Sequence, residues 1–424
     1  MLEQILDIRN MQNACKQVVS NGGSGGVDGM QTDELRNYLN ANWQTLRTDI
    51  LDGRYKPQAV KQVTIPKAQG GTRMLGIPTV VDRLIQQCLS QWMNNFWDKD
   101  FSENSYGFRP NKSAHQAVLQ AQKYLNEGYD YVIELDLENF FDKVNHDYLM
   151  HLLTKKITDK RVLKLVRKYL TTGIMEDGVV SQRSGGTPQG SPLSPLLSNI
   201  LLHELDKELH ARGLRFVRYA DDCSIYVKSM KSAERVMSSI TKFIEADLKL
   251  KVNKSKSKIS KPPQSTLLGF SFYKTSGNWI IRIAGKSVLR IKEKINQHLK
   301  RSNPSCLSTK LIGLGAIIIG WMNYFMIAES KTILQRLDEQ TRTRARICQW
   351  HQWKRVRTRI KALKRLGIKS QKAYEWGNTS RGACRVAHSP ILTRTLTNKY
   401  LAKLGLVSFY NYYFNKRKLQ LKLF

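Results

Sequence analysis

The 424-residue sequence predicts an α+β fold, on three observations. Arg215 to Val227 has two β-prone arms around Tyr219-Ala-Asp-Asp222, the pattern of a hairpin with two acids at its tip. Tyr131-Val-Ile-Glu-Leu-Asp136 is a second β-rich run ending in a carboxylate, followed by Phe140-Phe141-Asp142. Beyond residue 285 the apolar positions take helical spacing, first Val288, Ile291, Ile295 and Leu299, then Leu311, Leu314, Ile318 and Trp321.

Taken in chain order, residues 2–20 read as a short amphipathic helix, and Asn21-Gly-Gly-Ser-Gly-Gly-Val-Asp-Gly29 is too glycine-rich for regular structure. Val63 to Thr79 reads as two strands around a Gly-Gly turn, with Lys67 on one arm and Arg73 on the other. Ser105-Tyr-Gly-Phe-Arg-Pro110 is a compact motif in which Arg109 suits a structural role as well as a functional one. Thr187-Pro-Gln189-Gly190 precedes a helix with an apolar stripe of Leu193, Leu196, Leu197, Ile200, Leu201, Leu205 and Leu209, ended by Gly213. A third basic helix passes through Arg342, Arg344 and Arg346, and the tail ends in an aromatic cluster from Phe409 to Phe414.

The acids carry the chemistry. Two carboxylates about 4 Å apart at an effective dielectric of about 20 repel by about 4 kcal/mol, which folding alone gives no reason to tolerate. A divalent cation resolves the conflict. A polar hairpin tip is the plainer alternative, because Asp supports turns. Asp136 supplies a further ligand from a distant strand, as transfer of a nucleotidyl group on divalent cations requires.

Lys and Arg number 69 against 34 Asp and Glu, for a formal charge of +35 and a pI near 10.0. The partner this implies is a polyanion. Clustering strengthens the inference: from Gln340 to Phe424 the only carboxylate is Glu375, and between Lys251 and Arg301 the only one is Glu293. Six scattered cysteines without a C-x-x-C pair argue for a reducing compartment and against structural zinc. The sequence has no long apolar span and no secretory or transit signal, so a membrane partner is not expected, and the cytoplasm is the expected location.

Leu-Asp136-Leu-Glu-Asn-Phe-Phe-Asp, Thr187-Pro-Gln-Gly-Ser-Pro-Leu-Ser-Pro-Leu-Leu-Ser-Asn199 and Tyr-Ala-Asp-Asp222 stand in polymerase order. With them the chain resembles the bacterial group II intron-encoded reverse transcriptases and maturases, of the compact type without an endonuclease domain. The resemblance runs from Gly25 to the basic C-terminal region. It implies a right-hand polymerase: fingers and an antiparallel palm over 1–285, a helical thumb over 286–350, and a small basic DNA-binding-type domain over 351–424. Asp136, Asp221 and Asp222 would be catalytic, and Asp136, Leu137, Asp221 and Asp222 would hold two Mg²⁺ ions, with Mn²⁺ as a substitute. Lys67, Arg73, Phe141, Gln189, Gly190 and Lys256 would bind the nucleotide. Lys67 and Arg73 would neutralise the leaving pyrophosphate, Phe141 would block a ribose 2′-hydroxyl, and Gly190 would let the backbone approach the substrate. The Gly-rich loop would be a lid over the template, and Leu267-Leu-Gly-Phe270 the turn that holds the primer end. Trp321 is expected to be core.

The implied partners are group II intron RNA, an RNA template with a DNA primer, deoxynucleotides and target DNA, with oligomeric state left open. An RNA-binding splicing cofactor with secondary polymerase activity, or a host-adopted reverse transcriptase in defence or DNA repair, are the rival readings.

Overall fold

Short runs of β-branched and aromatic residues become ten strands among the described residues, which are 1–66, 71–176, 179–181, 186 and 190–421 of this computed structural model. They are β1 Val60–Pro66, β2 Thr72–Ile77, β3 Tyr131–Leu135, β4 Ile174–Glu176, β5 Val179–Ser181, β6 Arg215–Tyr219, β7 Asp222–Val227, β8 Lys258–Ser260, β9 Phe270–Thr275 and β10 Asn278–Ile283. The chain divides into two units, Met1–Ser265 and Thr266–Phe424.

In the first unit, β3 is central in an antiparallel sheet of order β6-β7-β3-β8. Val132, Ile133 and Leu135 of β3 and Ile225 and Val227 of β7 are buried, so this sheet has little solvent-facing surface at its centre. Helix Ala114–Asn126 packs against β6, and helix Met230–Ala246 packs against β3. The first is fixed at its start by a capping box between Ser113 and Gln116, the second by Ser229 accepting from the amide of Ser232. A second sheet, β2-β1-β4-β5, joins the 63–79 hairpin to later strands through a parallel β1–β4 contact. The long helix Val80–Trp97 begins at Thr79, whose hydroxyl donates to the buried Asp82 carboxylate; Tyr55 and Tyr169 also donate to Asp82. Helix Ser194–Ala211 buries the leucine stripe expected of it, and Gly213 follows at φ +64°.

In the second unit, β9 and β10 form a hairpin whose two-residue turn, Ser276 and Gly277, has positive φ at both positions, the type I′ pattern that suits strand twist. Its backbone is bonded to the helical residues that follow: the amide of Glu329 donates to the Ile281 carbonyl at 2.9 Å, and the amide of Ile283 to Ser330 Oγ at 3.3 Å. Helices Gly285–His298, Leu307–Phe325 and Lys331–Gln352 follow. Trp321 is half-buried rather than fully enclosed, 4.7 Å from the Phe325 ring and 5.7 Å from Phe409. Helix Phe409–Leu421 starts on Asp338, whose carboxylate accepts from Ser408 Oγ and from the amides of Phe409 and Tyr410. These bonds satisfy amides that no helical turn can reach.

Candidate active site

Strand register brings the acids together. β3 and β7 pair through Leu135 and Cys223, and one further step of that register sets Asp136 opposite Asp222. Tyr219 pairs with Asp222, so only Ala220 and Asp221 form the turn between β6 and β7. Asp221 and Asp222 therefore sit at the tip of one hairpin, beside the end of the strand that carries Asp136. At the mouth of the site, Asp136 is anchored by its backbone: its amide donates to Ser257 Oγ at 3.0 Å, and its carbonyl accepts from the Asn253 amide at 2.8 Å.

The turn is strained and braced. Ala220 has φ +56°, a left-handed conformation that costs a non-glycine residue about 1–2 kcal/mol. Arg218, two residues earlier, is wholly buried and donates to the Ala220 carbonyl at 3.0 Å. The same guanidinium forms a two-pronged ion pair with the wholly buried Asp206, at 2.7 and 2.6 Å, and donates to Asn199 Oδ1 at 3.0 Å. Asn199 in turn donates to the Gly107 carbonyl. Gly107 must be glycine here, because a Cβ would lie 2.3 Å from the Ala220 amide nitrogen. Three separate segments thus close around the turn that presents the acids.

Electrostatics at the tip favour a cation. The Asp222 carboxyl is pushed up to about 6, by loss of water first, then by Asp221, Asp136 and Glu134, with Lys256 opposing. Asp222 keeps an exposed edge, so water is thinned around the carboxyl rather than excluded. Asp136 Oδ2 is inaccessible to water and accepts no hydrogen bond, and the Lys256 ammonium stands 3.5 Å from it. A buried carboxylate oxygen without a donor, facing two more aspartates, fits a hard divalent cation. Among the described residues, no three His, Cys, Asp or Glu side chains stand in finished coordination geometry.

The remaining expected residues are placed as follows. Lys67 and Gln189 lie outside the described residues, and so does the Arg73 side chain, although Arg73 pairs with Ile65 in the β1–β2 hairpin. Leu137 pairs with Val252, and the bonds on either side of it turn its own carbonyl away from that partner. Phe140 is buried, while Phe141 is half-buried, edge-on to it at 5.2 Å. Gly190 has φ +110°, and a Cβ there would lie 2.7 Å from the Gly76 carbonyl oxygen of β2. The close approach it makes here is to the protein's own hairpin. Arg109 is structural: it is buried, pairs with Asp98 and donates to the Ser102 and Ser105 carbonyls. In the Gly-rich loop, Gly25 and Gly26 are buried, and Arg83 donates to the carbonyls of Ser24 and Pro78. Sequence reasoning overlooked Arg218, Asp206, Asn199 and Ser257. The signal for the first two was an acid inside a leucine stripe and a base inside an apolar strand.

Two measurements test this geometry. Asp206→Asn leaves Arg218 as a buried unpaired charge, and should cost about 3–5 kcal/mol in denaturant unfolding. Lys207→Ala, which breaks the exposed pair with Glu204, should change stability by less than about 1 kcal/mol. Equal losses would contradict the bracing role. Asp222→Asn should raise the melting temperature of the metal-free protein above pH 6. Burial and like charges raise the folded-state pKa above the unfolded one, so the ionised form destabilises the fold, and that penalty fades as pH falls through about 6. Added Mg²⁺ should reverse the order of wild type and variant. A variant that melts lower without metal would refute the convergence of charge.

Comparison with known proteins gives the family. Residues 65–272 match the reverse transcriptase (RNA-dependent DNA polymerase) family, and residues 288–367 match the group II intron maturase-specific domain. The chain is 35% identical to protein YkfC of Escherichia coli K12 over 272 residues, 55% of this chain and 71% of that one. It is 34% identical to the group II intron-encoded protein LtrA of Lactococcus lactis over 206 residues, 48% of this chain and 34% of LtrA. A similar stretch, 213 residues at 32% identity, matches the COX1/OXI3 intron 2 protein of Saccharomyces cerevisiae, 49% of this chain and 24% of that protein. The chain thus spans about a third or less of the two intron proteins. Divalent-metal dependence accompanies the family, and no helix among the described residues is long and apolar enough to cross a membrane. Acids on two neighbouring strands, followed in the chain by a maturase-specific segment, place this protein in the group II intron-encoded reverse transcriptase and maturase family.

Proposed function

We propose that this chain extends the 3′-hydroxyl of a DNA primer on an RNA template, and that its second unit binds group II intron RNA to assist splicing and mobility. The observation that carries the reading is the register that sets Asp136 opposite Asp222 with Asp221 at the adjoining turn. Asp136, Asp221 and Asp222, with the Leu137 carbonyl, are the residues that would hold two Mg²⁺ ions. Bound there, the ions supply the charge that activates the primer hydroxyl and offsets charge on the triphosphate.

The protein's own groups do the rest. The braced turn fixes the two tip carboxylates relative to Asp136, so little reorganisation is needed when the substrates arrive. Lys256, exposed and adjacent to Asp136, is free to follow negative charge when a triphosphate enters. Lys67 and Arg73 are assigned to the β- and γ-phosphates, the Arg with forked geometry. Gln189 and Gly190 are assigned to the nucleotide pocket. Phe141, half-buried five residues after Asp136, is assigned to exclude a ribose 2′-hydroxyl.

In this reading residues 1–285 are fingers and palm, 286–350 the thumb, and 351–424 a basic domain for target DNA. The basic excess that runs through the second unit supports RNA and DNA as partners. Bacterial cytoplasm suits these partners.

Primer extension on a structured RNA template with Mg²⁺ and deoxynucleotides tests the assignment. Asp221→Ala should abolish synthesis while RNA affinity stays within about twofold, since the lost carboxylate contributes no attraction to a polyanion. Phe141→Ala should retain synthesis and admit ribonucleotides. Wild-type extension by the Asp221→Ala protein would sink the catalytic assignment.

A further inference from the structure

In the second unit, three helices end or begin around a cavity of about 1030 Å³. Lys300 and Arg301 follow the end of helix Gly285–His298, Lys354 follows the end of Lys331–Gln352, and Cys306 begins Leu307–Phe325. Lys310 completes the cationic part of the wall, His351 adds an imidazole to it, and no carboxylate lines it.

Lys310 is the unusual member. Its side chain is 2% exposed, yet its ammonium meets only neutral partners, the Lys300 carbonyl at 3.1 Å and Cys348 Sγ at 3.4 Å. That leaves one of three donor positions and the whole positive charge uncompensated. A buried charge without a counter-charge is expensive, and is retained where a ligand supplies one. Helix Leu307–Phe325 adds the positive end of its dipole at the same place. The local field is consistent with this: the His351 imidazole is held below its ordinary range by burial and then by Arg301, Arg344 and Arg359.

We propose that this cavity is a phosphate-binding site that takes one phosphodiester of a bound RNA strand, with Lys310 as its floor and Arg301 and Lys354 at its rim. The chemistry is that of phosphate oxygens accepting charge-assisted hydrogen bonds, the Arg with forked geometry. The proposal rests on the reading of the second unit as an RNA-binding unit, and adds to it a discrete site outside the polymerase centre.

Cys306 provides the probe. It is exposed, and hydrogen bonds with Ser308 and Thr309 bring its thiol down to about 7, so it alkylates readily near neutral pH. The full-length protein is treated with iodoacetamide, alone, with a single-stranded RNA oligonucleotide, or with inorganic phosphate, and labelling at Cys306 is followed by peptide mass spectrometry. RNA should slow labelling at Cys306 but not at the exposed Cys384. In parallel, Arg301→Gln/Lys354→Gln should reduce the magnitude of the log–log salt slope of RNA binding by about 0.7, the contribution of one neutralised phosphate on a single strand, and should restore labelling in the presence of RNA. Lys310→Met guards against a purely structural reading. It should raise the melting temperature, because a buried charge is removed, and still weaken RNA binding. Protection by inorganic phosphate but not by RNA would overturn the nucleic-acid assignment. RNA binding with an unchanged salt slope in the double variant and unprotected Cys306 would overturn the site while leaving the RNA-binding reading intact. Wild-type protein that binds no RNA would overturn both.

Discussion

The candidate active site depends on one buried ion pair. Arg218 and Asp206 face each other with two hydrogen bonds and no exposure to water, and the same guanidinium reaches forward to the carbonyl of Ala220. Burying both charges is costly unless further hydrogen bonds satisfy them, and here two more donors of the guanidinium find Asn199 and the turn itself. The pair is thus better understood as a device for position than for stability. It fixes a left-handed alanine in a two-residue turn, and the turn fixes where Asp221 and Asp222 project. Gly107 closes the other side at a distance no side chain would allow.

Much of the site was legible in the sequence, and the reason is energetic. Adjacent carboxylates at the tip of a β-rich hairpin, and another at the end of a β-rich run, make little sense without a cation, so Asp136, Asp221 and Asp222 stand out. Arg218 and Asp206 do not. A base inside an apolar strand and an acid inside a leucine stripe hint at burial, but only their meeting across 12 residues shows that they pair. Gly190 was legible as a required glycine but not for its neighbour, since nothing in the sequence ties it to Gly76.

Charge is distributed by purpose along the chain. A net +35 draws polyanions broadly and falls off with salt. Against that background the negative cluster at the β6–β7 tip is a local inversion, which would repel nucleic-acid phosphates unless neutralised. Lys256 beside Asp136 supplies part of that neutralisation in the free protein. A cationic surface that gathers RNA and an acidic centre that demands metal are therefore complementary requirements, met by different parts of one chain.

The central claim is that Asp136 and the β6–β7 tip form a single cation site. Electron paramagnetic resonance of Mn²⁺ titrated into the nucleic-acid-free protein tests it most directly. The account predicts bound Mn²⁺ in the wild type, and loss of that population whether the change is made at Asp136 or at Asp222, because each strand supplies part of one coordination sphere. Mn²⁺ binding that survives Asp136→Asn undiminished would contradict it.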